Sequence, residues 1–279
     1  MLRRTQEAIR SLTSQQALVK MARVFRIAGA LKRWEYRLRG PSGGVVRHAV
    51  GGVEVVLAAP DATEFRTVEH CFAGEMDFVE ALAKKLRTGG VYYDIGSNIG
   101  QFLILAAKVV GERGQAVGFE PHPVNHQRLL RNVALNGLTN VRVFQVALGD
   151  RNSEIQIYGA RGLATVVPRA AAWHQTSPVA TVQAMRGDTL RAHSGLPIPT
   201  AVKIHVEGAE FGVLSGLKET LSSPLCELLC LVIHPPLLPA EVSVEKVLSL
   251  VRSFGFNRAE TRPCEIEMHV IAEKVQAQS

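Results

Sequence analysis

The sequence predicts an α/β protein whose mostly parallel sheet ends in an antiparallel hairpin and is preceded by a helical and β-hairpin extension. Three observations predict it. From residue 91 onward, short β-branched runs alternate with helix-length amphipathic segments, the pattern of strands joined by crossover helices. The last two β-like runs, around 256–260 and 266–272, are joined by a connection containing Pro263 that is too short for a parallel crossover, so they must pair antiparallel. The 279 residues are 47% hydrophobic and 20% charged, enough for one large core, which excludes a disordered chain, a collagen-like repeat and a small disulfide scaffold.

Each element follows from local pattern. Residues 1–40 hold ten basic residues against two acidic ones, a net +8, and the other 239 hold 22 against 23, a net −1. Leu18, Met21, Ala22, Phe25 and Ala28 recur at the spacing of one helix face, so this segment reads as one or two basic amphipathic helices. Such a helix suits peripheral contact with an anionic membrane surface; packing its apolar stripe on the body, with Arg and Lys solvated, is the alternative. Residues 41–64 form a lead-in with β runs at 45–50 and 53–58 around Gly51-Gly52, and 65–279 form the main domain.

Within the main domain, helical spacing covers 75–86 and stops at Thr88-Gly89-Gly90. The spacing then predicts strands at 91–95, 115–119, 141–146, 154–158, 201–206 and 228–234, and helices at 101–110, 123–135, 209–221 and 244–254. Residues 159–181, rich in Ala, Gly, Pro and Ser/Thr without a clean period, predict a loop over the site. Cys71, Cys226, Cys230 and Cys264 make no CxxC pair, which points to a reducing, cytoplasmic setting. No apolar run is long enough for a spanning helix, and the first residues lack a signal-peptide pattern.

Val91-Tyr-Tyr-Asp-Ile-Gly-Ser-Asn-Ile-Gly100 is a strand entering a Gly-rich turn and then a helix, so a ligand belongs at the carboxyl end of that strand. Gly96 and Gly100 suit close approach of a ligand to the backbone. Glu120, twenty residues beyond Gly100, ends the next strand, where a carboxylate can accept both ribose hydroxyls of a nucleoside. A dinucleotide turn wants a second glycine where Asn98 stands, and Asp94 beside the turn would repel a pyrophosphate but suits the amino end of a methionine. The turn therefore favours S-adenosyl-L-methionine as cofactor.

Asp94-Ile-Gly-Ser-Asn-Ile-Gly100, Phe119-Glu-Pro121, Val146-Ala-Leu-Gly-Asp150, Val202-Lys-Ile-His-Val-Glu-Gly-Ala-Glu210 and Ile233-His-Pro235 occur in one order and spacing. Over roughly 65–273 the chain resembles the FkbM family of S-adenosylmethionine-dependent methyltransferases. The resemblance implies a class I methyltransferase (Rossmann-like) fold with a seven-stranded sheet, and O-methylation of a hydroxyl on a secondary metabolite, sugar or glycolipid. It places Asp94, Gly96, Ser97, Asn98 and Gly100 around the methionine part, Glu120 on the ribose, Ala147 and Leu148 beside the adenine, and Glu75 within reach of the cofactor. The departure is His205, where the family usually carries Asp.

Methyl transfer is an in-line displacement, so the acceptor oxygen must be held about 3 Å from the methyl carbon while a base removes its proton. His205 and His234 end neighbouring strands, and an imidazole titrating near ~6.5 suits that base. His205 reads either as base or acceptor-orienting group, with Glu207 or His234 holding its other nitrogen, or as a structural histidine bonded to backbone. A metal bound by His205, Glu207 and His234 is the third reading, and histidine in place of carboxylate disfavours a hard cation there. The expected partner is a small-molecule or glycan acceptor. A nucleic-acid methyltransferase fits less well, because the body is net −1 and no Asn/Asp-Pro-Pro-aromatic run appears. A non-catalytic cofactor-binding scaffold of the same fold remains the other alternative.

Overall fold

The computed structural model describes residues 34, 36–38, 40–158 and 178–275. The amphipathic helices expected within 1–40 and most of the loop expected over 159–181 therefore lie outside the described residues. Two compact units are present, one with the described residues to Val46 and Ala58–His70, the other with Arg47–Leu57 and the chain from Cys71. In the first, the Tyr36 hydroxyl donates to the Ala59 carbonyl at 2.8 Å and its ring meets Phe65 edge-on. Helix α1 (Ala62–Glu69) was not expected from the sequence. Its signal is Asp61, which caps the Thr63 and Glu64 amides, with Glu64 in the first turn.

The hairpin strands β1 (Val45–Val50) and β2 (Val53–Ala58) have the expected bounds. Helix α2 (Met76–Lys85) follows, with Glu75 at its N-cap. The order then becomes β3 (Val91–Ile95), α3 (Gln101–Val110), β4 (Gln115–Phe119), α4 (Pro123–Leu135) and β5 (Val141–Phe144). After β6 (Ala147–Gly149), β7 (Ser153–Ile157), β8 (Ala180–Arg186) and α5 (Gly187–His193), the chain resumes with β9 (Ala201–Ile204), α6 (Glu210–Gly216), α7 (Lys218–Ser222) and β10 (Leu228–Ile233). Helix α8 (Val244–Ser253) precedes the hairpin β11 (Arg258–Cys264) and β12 (Glu267–Glu273).

One sheet runs β11-β12-β10-β9-β3-β4-β5, parallel from β10 to β5, with β12 antiparallel to both β10 and β11. Seven strands with a terminal antiparallel hairpin make the class I methyltransferase fold that the sequence led us to expect. All six residues of β10 and all four of β9 are buried, as strands covered on both faces must be. Among the described residues, no helix is long and apolar enough to cross a membrane.

The structure corrects several boundaries. The run 141–146 stops at Phe144, and Ala147–Gly149 joins a separate sheet of order β6-β8-β7, where it pairs in parallel with β8. Strand β8 begins inside the segment read as loop, and its weak sequence signal follows from the small residues Ala180 and Ala184 on its inner face. The helix read over 209–221 breaks at Leu217, because Gly216 packs directly against the β6 backbone. Pro263 lies in β11 rather than in the connection, which an edge strand tolerates because it needs no outward N–H. The turn is instead Glu265-Ile266, with Glu265 left-handed at φ +49°.

A Cβ on Gly216 would lie 1.8 Å from the Gly149 carbonyl oxygen, a backbone atom that cannot rotate away. Gly216→Ala is expected to destabilise the chain by about 1–3 kcal/mol through overpacking, read as a lower denaturant midpoint with unchanged slope.

Candidate active site

The polar residues of interest follow the carboxyl ends of four adjacent parallel strands, at the point where the connections leave β3 and β9 in opposite directions. The first such end is the turn 96–100. Gly96 has φ +80°, and a Cβ there would sit 2.0 Å from the His205 carbonyl oxygen. Gly100 has φ +91°, and its Cβ would meet Leu129 at 2.2 Å. The chain's own backbone favours glycine at both positions, through the left-handed φ and, at Gly96, the His205 carbonyl, and Gly96 also lines the cavity. Ser97 pins the turn, its hydroxyl donating to the Asp94 carbonyl at 2.7 Å and accepting from the Phe119 amide at 3.1 Å.

Glu120, after β4, accepts from the Asn98 amide at 2.8 Å and the His122 amide at 2.9 Å, one on each carboxylate oxygen. Burial pushes its pKa up to about 7, although the two amides pull the other way. The Asn125 side chain also hydrogen-bonds to it, and of the carboxylate's four acceptor sites one remains for a ligand hydroxyl. A cavity of about 650 Å³ opens beside it, within the range of small-molecule sites. Phe119, Val146, Ala147 and Leu148 give this cavity an apolar wall, and Asn98 and Gln101 line it too. Asn98 Oδ1 and Gln101 Oε1 are buried acceptors without a hydrogen-bond partner, so the site suits a ligand bringing donors such as an ammonium.

At the β9 end a charged cluster forms. Lys203 is 2% exposed and stands in register with Asp94 on β3. Its ammonium lies 3.0 Å from Glu75 Oε1 and over the Phe102 ring. His205 sits two residues on, past the end of β9, its amide donating to the Ile95 carbonyl. Its Nδ1 is 3.1 Å from Glu75 Oε1. Burial would raise the Glu75 carboxyl, but Lys203 and His205 outweigh it and bring the pKa down to about 2. Asp94 is pushed up to about 6, chiefly by burial, with Lys203 opposing and Glu75 reinforcing the rise.

At the β10 end, His234 is 3% exposed. Its Nδ1 lies 2.6 Å from Glu210 Oε1, and its Nε2 is 3.5 Å from Glu207 and 3.4 Å from Glu267. Burial would lower its pKa, yet the Glu210 hydrogen bond and the surrounding carboxylates raise it above the usual imidazole value. The His205 and His234 rings are 5.3 Å apart.

Of the residues named from sequence, Glu75, Gly96, Asn98, Glu120, Ala147, Leu148, His205 and Glu207 line one cavity. Asp94, Ser97, Gly100 and His234 do not, being buried beneath or beside it. His205 Nδ1 is held by Glu75, a partner the sequence reading did not name for it, because the α2 N-terminus brings that carboxylate there. A buried His234 already engaged on both nitrogens is not a free base. Sequence reasoning missed Lys203, though alternation along β9 puts it on the face of His205. It also missed Gln101, Glu210 and Glu267, the last brought in only by the hairpin fold.

A family model for the methyltransferase FkbM domain matches residues 94–257, more than half of the chain. Hexuronic acid methyltransferase AglP of Haloferax volcanii is 28% identical over 185 residues, covering 65% of this chain and 68% of that protein. A crystal structure of methyltransferase FkbM from Methylobacillus flagellatus is similar at 14% identity and a TM-score of 0.46, covering 76% of this chain. The match spans 54% of that structure, so about half its length. Precorrin-6y C5,15-methyltransferase from Geobacter metallireducens is similar at 15% identity and a TM-score of 0.45, covering 72% of this chain and 88% of that one.

Glu75→Gln leaves the Lys203 ammonium buried without its counter-charge, and a loss of about 3 kcal/mol at pH 7 is expected. The depressed Glu75 pKa stabilises the fold above pH 4.5, and that contribution fades as pH falls towards about 2. Thermal melts across that window should therefore show wild type and variant converging.

Proposed function

The chain belongs to the FkbM methyltransferase family, and on that premise we propose that it is an S-adenosyl-L-methionine-dependent O-methyltransferase whose acceptor is a hydroxyl of a sugar, free or within a glycolipid or secondary metabolite. The observation that carries the reading is Glu120, a buried carboxylate held by two backbone amides at the wall of a cavity of about 650 Å³. It would take a ribose hydroxyl, with Ala147 and Leu148 against the adenine and the unpartnered Asn98 and Gln101 oxygens accepting from the ammonium. The cofactor supplies a methyl group on a cationic sulfur, and this chain's residues bind, orient and shed a proton. A neighbouring carboxylate favours that positive charge, as Glu75 offers on the same wall.

His205 is the acceptor-side group in this reading. Glu75 fixes one ring nitrogen, which sets the plane of the imidazole and leaves Nε2 for the acceptor oxygen. Arg151 and Lys246 also line the cavity, and their charge suits an anionic sugar. The likeness to a protein named as a hexuronic acid methyltransferase supports the same acceptor class.

Calorimetry is expected to give micromolar binding of S-adenosyl-L-methionine, weakened at least tenfold in Glu120→Ala, a change of about 1.4 kcal/mol. The ionised Glu120 accepts a ribose hydroxyl far better than the neutral acid, so affinity should rise between pH 6 and pH 8 with proton release on binding, and Glu120→Gln should flatten that rise. Mass spectrometry of neutral and acidic sugar acceptors after incubation should detect a methyl ether; absence of cofactor binding would remove the enzyme reading altogether.

A further inference from the structure

Two histidines end neighbouring strands with their Nδ1 atoms each engaged by a buried carboxylate, Glu75 for His205 and Glu210 for His234. His234 Nε2 faces the Glu207 and Glu267 carboxylates, and a ring nitrogen of His205 lies close by. One carboxylate oxygen of Glu267 and one nitrogen from each histidine lie within 4.8 Å of one another, and His234 Nε2 is already 3.4 Å from Glu267. Ligands about 2.0–2.1 Å from a tetrahedral ion stand about 3.3 Å apart, so a contraction of at most about 1.5 Å, within the reach of side-chain torsions, closes the set. Glu267 is itself held from behind, its other oxygen 3.2 Å from His269 Nε2. His269 is anchored in turn, through Nδ1, by Asp77 at 3.1 Å.

An imidazole whose second nitrogen is fixed by a carboxylate is the arrangement that orients metal-ligating histidines, and here it occurs twice. We infer that His205, His234 and Glu267 bind a divalent transition ion of the zinc class, with Glu207 beside them and the fourth position available to an acceptor hydroxyl. Two nitrogens and one carboxylate favour such an ion over magnesium or calcium, which want oxygen ligands throughout. The hard cation disfavoured on sequence grounds is therefore not the ion at issue. The site's catalytic use rests on the O-methyltransferase reading, with the bound ion rather than the His205 imidazole then handling the acceptor oxygen, whereas metal binding stands without it. Glu75 and Glu210 are positioning residues, acting through the histidines.

The test uses the untagged full chain, stripped by a chelator and titrated with Zn²⁺ in the absence of cofactor and acceptor. One ion per chain is expected, with affinity at least tenfold weaker in His205→Ala and in Glu267→Gln. Co²⁺ loading of the wild type should give the intense visible absorption of a tetrahedral site. No saturable uptake, wild-type affinity in both variants, or only the weak spectrum of an octahedral ion would each overturn the proposal. Should a variant fail to fold, the wild-type Co²⁺ spectrum decides alone. Cofactor binding is measured separately on the metal-free chain: cofactor without zinc binding overturns the metal site only, and zinc without cofactor binding overturns the methyltransferase reading only.

Discussion

A lysine ammonium buried on a central strand of the sheet sets the terms for the residues around it. Lys203 is 2% exposed, and an isolated charge so placed costs several kcal/mol unless it is paired. Glu75 supplies the pairing from the start of α2, and the Phe102 ring supplies its electron-rich face. That requirement brings α2 to the carboxyl ends of β3 and β9. Once Glu75 is there to satisfy Lys203, the same carboxylate oxygen also reaches His205 Nδ1. A stability constraint and a functional orientation are met by one group.

Backbone packing ties this cluster to the cofactor side. Gly96 lies so close to the His205 carbonyl that no side chain fits between them, and the following turn presents the Asn98 amide to Glu120. The first strand-turn-helix and the β9 end cannot shift independently without a clash or a lost hydrogen bond to a buried carboxylate. Cofactor and acceptor groups are thereby held in fixed relation, which an in-line transfer needs more than it needs any single strong interaction. Preorganisation here comes from backbone contacts, which carry no side-chain entropy to lose.

Legibility in the sequence followed the range of the interactions involved. The first five elements of the main sheet region read well because their turns and caps are local: Gly89-Gly90, Gly100, Gly111 and Asn136-Gly137 mark their ends within a residue or two. The helix break at Leu217 could not be read, since it depends on Gly216 meeting Gly149 across the fold. Strand β8 was hidden by the small residues on its inner face. In the site, Glu120 and the turn were legible as a spaced motif. The partnership of Glu75 with His205, 130 residues apart, and that of Glu267 with His234 exist only after the chain has folded.

His205, where the resemblance to the FkbM family implies Asp, sets the charge balance of a crowded region. Glu75, Asp94, Glu207, Glu210 and Glu267 gather around the strand ends, with Lys203 as the buried cation among them. An Asp at 205 would stand against Glu75 in place of the imidazole and add one more like charge beside Asp94, which burial, reinforced by Glu75, already pushes up to about 6. Histidine avoids that repulsion, because its Nδ1 gives Glu75 a hydrogen-bond partner, and it replaces an oxygen donor by a nitrogen on the acceptor side. The substitution therefore keeps a polar group at the position where an acceptor must be handled, while altering which cations and which protonation states the site accommodates.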